Sequence, residues 1–251
     1  MGFLPAKESI MNRVFIKNID GKRAEIGREE LHHLVSVLRT RPGENFEGIS
    51  GGDFRYSLRL ARDAAGYYGE IIGETGHGDE SSLDIELAAA LIKREKFELI
   101  LQKATELGVN RIVPLNTART EIRLDSRREE KKMERWKRII SEAVKQCGRN
   151  KVPILEHSMD LEAYLGSTGE RKCFVLDEDC SEPVRKVLRA LAGNDSLSVM
   201  IGPEGGWADE ERLLMKRFSN LARAGLGPRV LRAETASVAA LAVIQYELGD
   251  L

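Results

Sequence analysis

Cysteine is scarce in this chain of 251 residues: Cys147, Cys173 and Cys180 fall in no C-x-x-C spacing. An odd, scattered set excludes a disulfide frame and a zinc knuckle, and fits the reduced thiols of a cytoplasmic protein. Histidine is sparse too. His32-His33 adjoin the apolar face of an expected helix and His77 and His157 stand alone, so no metal site is expected. No apolar run approaches the length of a membrane span, and the N-terminus lacks the basic-then-apolar pattern of a signal peptide. G-x-G-x-x-G after a first strand and G-x-x-x-x-G-K-[ST] are both missing, which disfavours a dinucleotide or a triphosphate. G-x-S-x-G is missing as well, and no serine or cysteine has a credible histidine partner for covalent catalysis. No repeat of 20 to 50 residues recurs.

Net charge is also nearly absent, at −1, so the molecule as a whole does not attract nucleic acid. The balance hides an uneven distribution. Residues 119–151 hold twelve Lys and Arg against six Asp and Glu, whereas residues 1–80 hold eleven against thirteen. Hydrophobic residues make up 42%, enough for a core, and the length allows one large or two small domains. Residues 1–10 precede a second methionine, Met11, and read as an alternative start or an extension.

From Arg13 to about Ile72, short alternating runs are broken by turn residues, with one helix expected over Arg28–Arg39 carrying Leu31, Leu34, Val35 and Leu38 on one face. A small, mostly β barrel or sandwich is expected. The polar linker from Glu74 to Ser82 ends it, giving domains over 11–76 and 83–251. Strands then alternate with helices. The expected strands are Leu83–Ile92, Arg111–Leu115, Val152–Leu155 and Cys173–Leu176. The expected helices are Lys96–Leu107, Arg127–Cys147, Asp160–Leu165 and Pro183–Leu191.

Two further strand–loop–helix units close the chain. Leu197–Ile201 leads into Gly202-Pro-Glu-Gly-Gly-Trp207 and the acidic helix start at Asp209. The stretch from Ala222 to Gly227 leads into Pro228–Thr235 and an apolar helix over Ala236–Leu248. Consecutive units of this kind put both loops at the carboxyl ends of parallel strands, where open α/β sheets bind ligands. Glycines there permit close backbone approach. Flanked by Ile201, Leu226 and Leu231, they suit a partly apolar ligand.

Several side chains admit two readings. The helix rich in Arg127, Arg128, Lys131, Lys132, Arg135, Lys137 and Arg138 is interleaved with Glu129, Glu130 and Glu134, and is either a solvated face or a phosphate-contacting one. Trp207 is a core residue or a stacking lid. Glu204 and Glu234 either tie their loops together or serve as proton acceptors.

Ile201-Gly-Pro-Glu-Gly-Gly206 together with Leu226-Gly-Pro-Arg-Val-Leu-Arg-Ala-Glu-Thr-Ala236 resembles the RsmE family, ribosomal RNA uracil-N3 methyltransferases of the SPOUT class. Arg13–Ile16, His33–Arg39, Gln102–Val109 and Gln146–Arg149 resemble its other signature segments, in order. The resemblance implies a PUA-like RNA-binding barrel followed by an α/β domain with a deep trefoil knot, in a homodimer that acts on 16S RNA of the small ribosomal subunit. It also implies S-adenosylmethionine bound by Leu176, Ile201, Gly202, Pro203, Glu204, Gly205, Gly206, Leu226, Gly227, Val230 and Leu231. Arg232 is then the residue to stabilise charge developing on the uracil and Glu234 the proton acceptor, with Arg13, Arg39 and Arg149 contacting RNA.

Two departures from the family pattern stand out. Ala208 replaces a helix-capping serine, and Lys93-Arg-Glu-Lys96 replaces a Lys-Gly-Asp-Lys-like turn; neither is expected to touch the cofactor loops. Two other readings remain: a SPOUT enzyme acting on a ribose 2′-hydroxyl of transfer RNA, and a non-catalytic RNA-binding protein with an idle pocket.

Overall fold

A computed structural model of the chain describes residues 12–52, 54–77, 80–120, 126–193 and 196–251. The leading segment through Met11, part of the 74–82 linker, and the side chains of His77, Arg127 and Arg128 lie outside the described residues. The chain divides into two compact units, one of residues 1–80 with 144–151, the other of 81–143 with 152–251.

The first unit is a closed barrel. Strands β1 (Arg13–Asp20), β2 (Arg23–Ile26), β3 (Asn45–Ile49), β4 (Phe54–Asp63) and β5 (Gly66–His77) follow the order β1-β2-β5-β4-β3, with β1 and β3 pairing in parallel to close it. Alternation puts Val14, Ile16, Ala24, Phe46, Leu58 and Leu60 inside. The helix expected over Arg28–Arg39 is instead α1 (Arg28–His32) and a π-helical turn, His33–Val37. That turn buries Leu34 but leaves Val37 and Leu38 exposed. One residue more per turn rotates the apolar positions off a single stripe.

The second unit is an all-parallel sheet in the order β12-β10-β11-β6-β7-β8, with β9 pairing β7 off that path. Its strands are β6 (Asp84–Ala90), β7 (Arg111–Asn116), β8 (Ile154–Leu155), β9 (Met159–Asp160), β10 (Lys172–Leu176), β11 (Ser196–Ile201) and β12 (Leu221–Ala224). Its helices are α2 (Arg94–Glu106), α3 (Ser126–Cys147), α4 (Leu161–Ser167), α5 (Val184–Leu191), α6 (Asp209–Met215) and α7 (Ala233–Leu248). Past Asp84, strand β6 is buried on both faces, as its largely apolar run requires of an inner parallel strand. The buried carboxylate in that strand, Glu86, accepts hydrogen bonds from Tyr164 at 2.7 Å and Ser198 at 2.8 Å. One cluster gathers Leu87, Phe97, Ile100, Leu101, Trp136, Leu188 and Leu241 from β6, α2, α3, α5 and α7 on one side; the other holds Met200, Trp207, Tyr164 and Leu165.

The architecture is SPOUT-like. After β12 the chain passes the 180–184 loop, where the Val184 amide donates to the Gly225 carbonyl at 3.0 Å and the Gly225 amide to the Glu182 carbonyl at 2.8 Å. A Cβ at position 225 would overlap the Cys180 carbonyl oxygen, so only glycine passes there. Among the described residues no helix is long and apolar enough to cross a membrane.

Candidate functional site

The carboxyl ends of β10, β11 and β12, at Leu176, Ile201 and Ala224, open on one cleft of about 750 Å³. Both glycine loops reach it. Leu176, Ile201, Gly202, Pro203, Glu204, Gly206, Leu226, Gly227, Val230 and Leu231 line it. Gly205 does not: it faces away, and its carbonyl accepts a hydrogen bond from Arg119 at 2.6 Å. Asp177, Glu178, Gly225, Pro228, Arg229, Ala233 and Ala236 line it as well. Of these Asp177 and Glu178 follow directly on Leu176, so the signal for them was the strand end itself.

The acidic loop after β10 is a charge network. Asp177 is buried and accepts from Arg212 at 3.1 Å and from Arg223 at 2.6 Å. Burial pushes its carboxyl up, but Arg212, the Asp179 amide and Arg223 outweigh that and hold it below the usual carboxylate range. Arg212 also reaches Asp179 at 2.8 Å and Glu178 at 3.5 Å. The three carboxylates converge closely enough for a cation, but two guanidinium groups, Arg212 and Arg223, already pair with them. Gly206, at φ +69°, stands where any side chain would collide with the Glu178 carboxylate, so this glycine lets the loops meet.

Trp207 is a core residue. It is fully buried, packs against Gly202, and donates its indole N–H to the Leu176 carbonyl at 2.8 Å. The turn Lys93–Lys96, expected to stand clear of the cofactor loops, does not. The Lys96 ammonium hydrogen-bonds Glu204 and lies 3.8 Å from Glu234. Lys96 holds the Glu204 carboxyl below its ordinary range, burial opposes this, and the charges of Lys93 and Arg232 add to it. Glu234 sits in the first turn of α7 with Oε2 buried and without a hydrogen-bond partner among the described residues. Arg232 is the residue before α7 and is exposed. Neither Arg232 nor Glu234 lines the cleft; both stand beside its Glu204 edge.

With one cation, Arg229, and three carboxylates in an otherwise apolar lining, the cleft fits a ligand bearing hydroxyls or positive charge better than a polyphosphate. The RNA methyltransferase domain family matches residues 79–245. The ribosomal RNA small subunit methyltransferase E of Bacillus subtilis is 32% identical over 226 residues, covering 87% of this chain and 88% of that protein. The chain belongs to the RsmE family. A Legionella pneumophila protein described as a methyltransferase, solved with bound S-adenosylmethionine, superposes with a TM-score of 0.88 at 33% identity, over 96% of this chain and 99% of that one. The Neisseria gonorrhoeae ribosomal RNA small subunit methyltransferase E, also solved with S-adenosylmethionine, gives 0.86 at 27% identity over the same shares.

In this member of the RsmE family, the three arginines assigned to RNA differ in what they offer. Arg149 is 2% exposed and donates to Glu80 at 2.8 Å and 3.1 Å. That burial corrects its assignment: it closes the 144–151 segment onto the barrel unit. Arg13 likewise turns inward, to Glu47 at 2.6 Å and to the Lys145 and Gln146 carbonyls. Arg39 is exposed and is the one non-glycine residue with positive φ among those described, at 59°. Of the three it alone presents a guanidinium outward.

Proposed function

We propose that this protein transfers the methyl group of S-adenosylmethionine to N3 of a uridine in 16S RNA of the small ribosomal subunit, as a cytoplasmic homodimer. The observation that carries the cofactor assignment is the convergence of both glycine loops on one cleft whose polar lining is chiefly carboxylate. Membership of the RsmE family and the cofactor-bound relatives support the same reading. The walls Leu176, Ile201, Leu226 and Leu231 would enclose the base, and the open backbone at Gly202 and Gly227 would meet its polar edge. Glu178 is the acceptor suited to hydroxyl or ammonium groups. Bound there, the cofactor supplies an electrophilic methyl on a sulfonium.

The chain's own work is then positioning and proton transfer. Uridine N3 carries a proton at neutral pH and must lose it before it can act as a nucleophile. Glu234 is the acceptor, because its unpartnered Oε2 has a lone pair to offer and Lys96 anchors the other oxygen's side. Arg232 balances the negative charge that spreads onto the uracil carbonyls. For the dimer, α7 leaves Thr235 and Tyr246 exposed and Val238, Ala239 and Ala242 partly exposed along one helical stripe. The deciding experiment incubates small-subunit RNA with the protein and labelled cofactor and maps methylated nucleosides by mass spectrometry. Label recovered in 3-methyluridine is expected. Label in a ribose 2′-O-methyl group, or none, overturns the assignment.

A further inference from the structure

A second cleft, of about 600 Å³, opens beside the first across the turn Lys93–Lys96. Its floor is apolar: Leu91 and Ile92, just past β6, with Phe97 and Trp136, whose ring centroids are 4.8 Å apart. Arg94, Lys131, Lys132 and Arg135 line it, against a single carboxylate, Glu98. Glu98 is committed: it accepts from Arg135 at 2.6 Å and 2.8 Å and from Arg94 at 3.1 Å. Arg135 first, and Arg94 after it, hold its carboxyl below the usual range against the opposing effect of burial. The lining therefore carries a surplus of cations over an apolar floor, in a molecule whose net charge is −1. One turn divides the two clefts, Lys96 facing Glu204 in the first and Glu234 beside it, Arg94 lining the second.

Resting on the function proposed above, we propose that this second cleft seats a nucleotide of the substrate strand flanking the reacting uridine, its phosphodiester on the cations and its base against the apolar floor. Phosphate contacts supply affinity and register without reading sequence. A cation-rimmed groove with an apolar base platform is the chemistry that single-stranded RNA requires. An isolated anion would use the rim alone and make no use of the apolar floor.

The test uses the full-length protein and a single-stranded RNA oligonucleotide of about 20 nucleotides spanning the methylated uridine, with affinity followed by fluorescence anisotropy over a salt series. Each lost phosphate contact on a single strand lowers the salt slope by about 0.7. Arg94→Ala with Lys131→Ala should reduce the slope by about 1.4 and weaken binding at least tenfold, with S-adenosylmethionine affinity unchanged by calorimetry. Lys137→Ala with Arg138→Ala removes the same charge from exposed positions of α3 outside the cleft lining and should leave the slope close to that of the unmodified protein. Equal slopes for the two double variants overturn the proposal. If Arg94→Ala perturbs folding, Lys131→Ala alone carries the comparison, with an expected change of about 0.7. If the unmodified protein neither binds this RNA nor methylates it, the functional reading fails; if it does both and the cleft variants keep its slope, only the second cleft is lost.

Discussion

Glu234 and Arg232 are where a single atom decides between structure and chemistry. An unpartnered buried carboxylate oxygen is a standing cost to the fold unless something else uses it. Glu234→Gln should therefore lower single-turnover methyl transfer by about 10² to 10⁴, while S-adenosylmethionine affinity stays level. Arg232→Ala should lower the same rate by about 10² to 10³ if it supports negative charge on the uracil. Turnover equal to the unmodified protein's would remove either residue from the mechanism. Much of the cleft wall was legible from the two glycine loops, because glycine, strand end and helix start are local signals. What lay outside reach was pairing across the sequence. Lys96 meets Glu204 across 108 positions, and Arg149 meets Glu80 across 69. A motif names Arg149 as cationic; only the fold shows its charge already spoken for.

Elements were legible to within a few residues wherever periodicity was strong, as in α2, α3 and β10. The stretch Arg28–Arg39 was not, because a π-helical turn keeps helical composition while rotating its face. Helix α6 carries its own prediction. Ala208 offers no side-chain oxygen, yet Glu211 performs its half of a capping box, accepting from the Ala208 amide at 2.9 Å and from the Ala118 amide at 2.8 Å. Ala208→Ser should complete the box and add about 0.5–2 kcal/mol, read as a rise of the thermal midpoint by about 2–4 °C per kcal/mol. The loop after β10 predicts acid sensitivity. Asp177 has a depressed pKa in the fold, so its contribution is complete above its unfolded value of about 3.9 and is lost as pH falls through the lower folded one. Denaturant midpoints should drop below about pH 4. Asp177→Asn should start lower at pH 7 and fall less steeply. A variant with the unmodified protein's acid profile would show that the Arg212–Asp177–Arg223 network contributes nothing.

At the scale of the molecule, the partly exposed stripe on α7 ends in Tyr246, which is 74% exposed. Sedimentation equilibrium should find two chains per particle, and Ala242→Glu, which places a charge in the stripe, should yield single chains. A monomeric unmodified protein would dispose of the dimer. The tight passage at Gly225 bears on how the molecule comes to exist at all. The cleft needs the stretch from Gly225 to Ala236 for one of its walls, so a nascent chain with that stretch still inside the ribosomal tunnel has no pocket to fill. Cofactor capture must therefore wait for it to emerge. In a cell-free translation arrested at successive lengths, labelled cofactor should first be retained once that wall has left the tunnel.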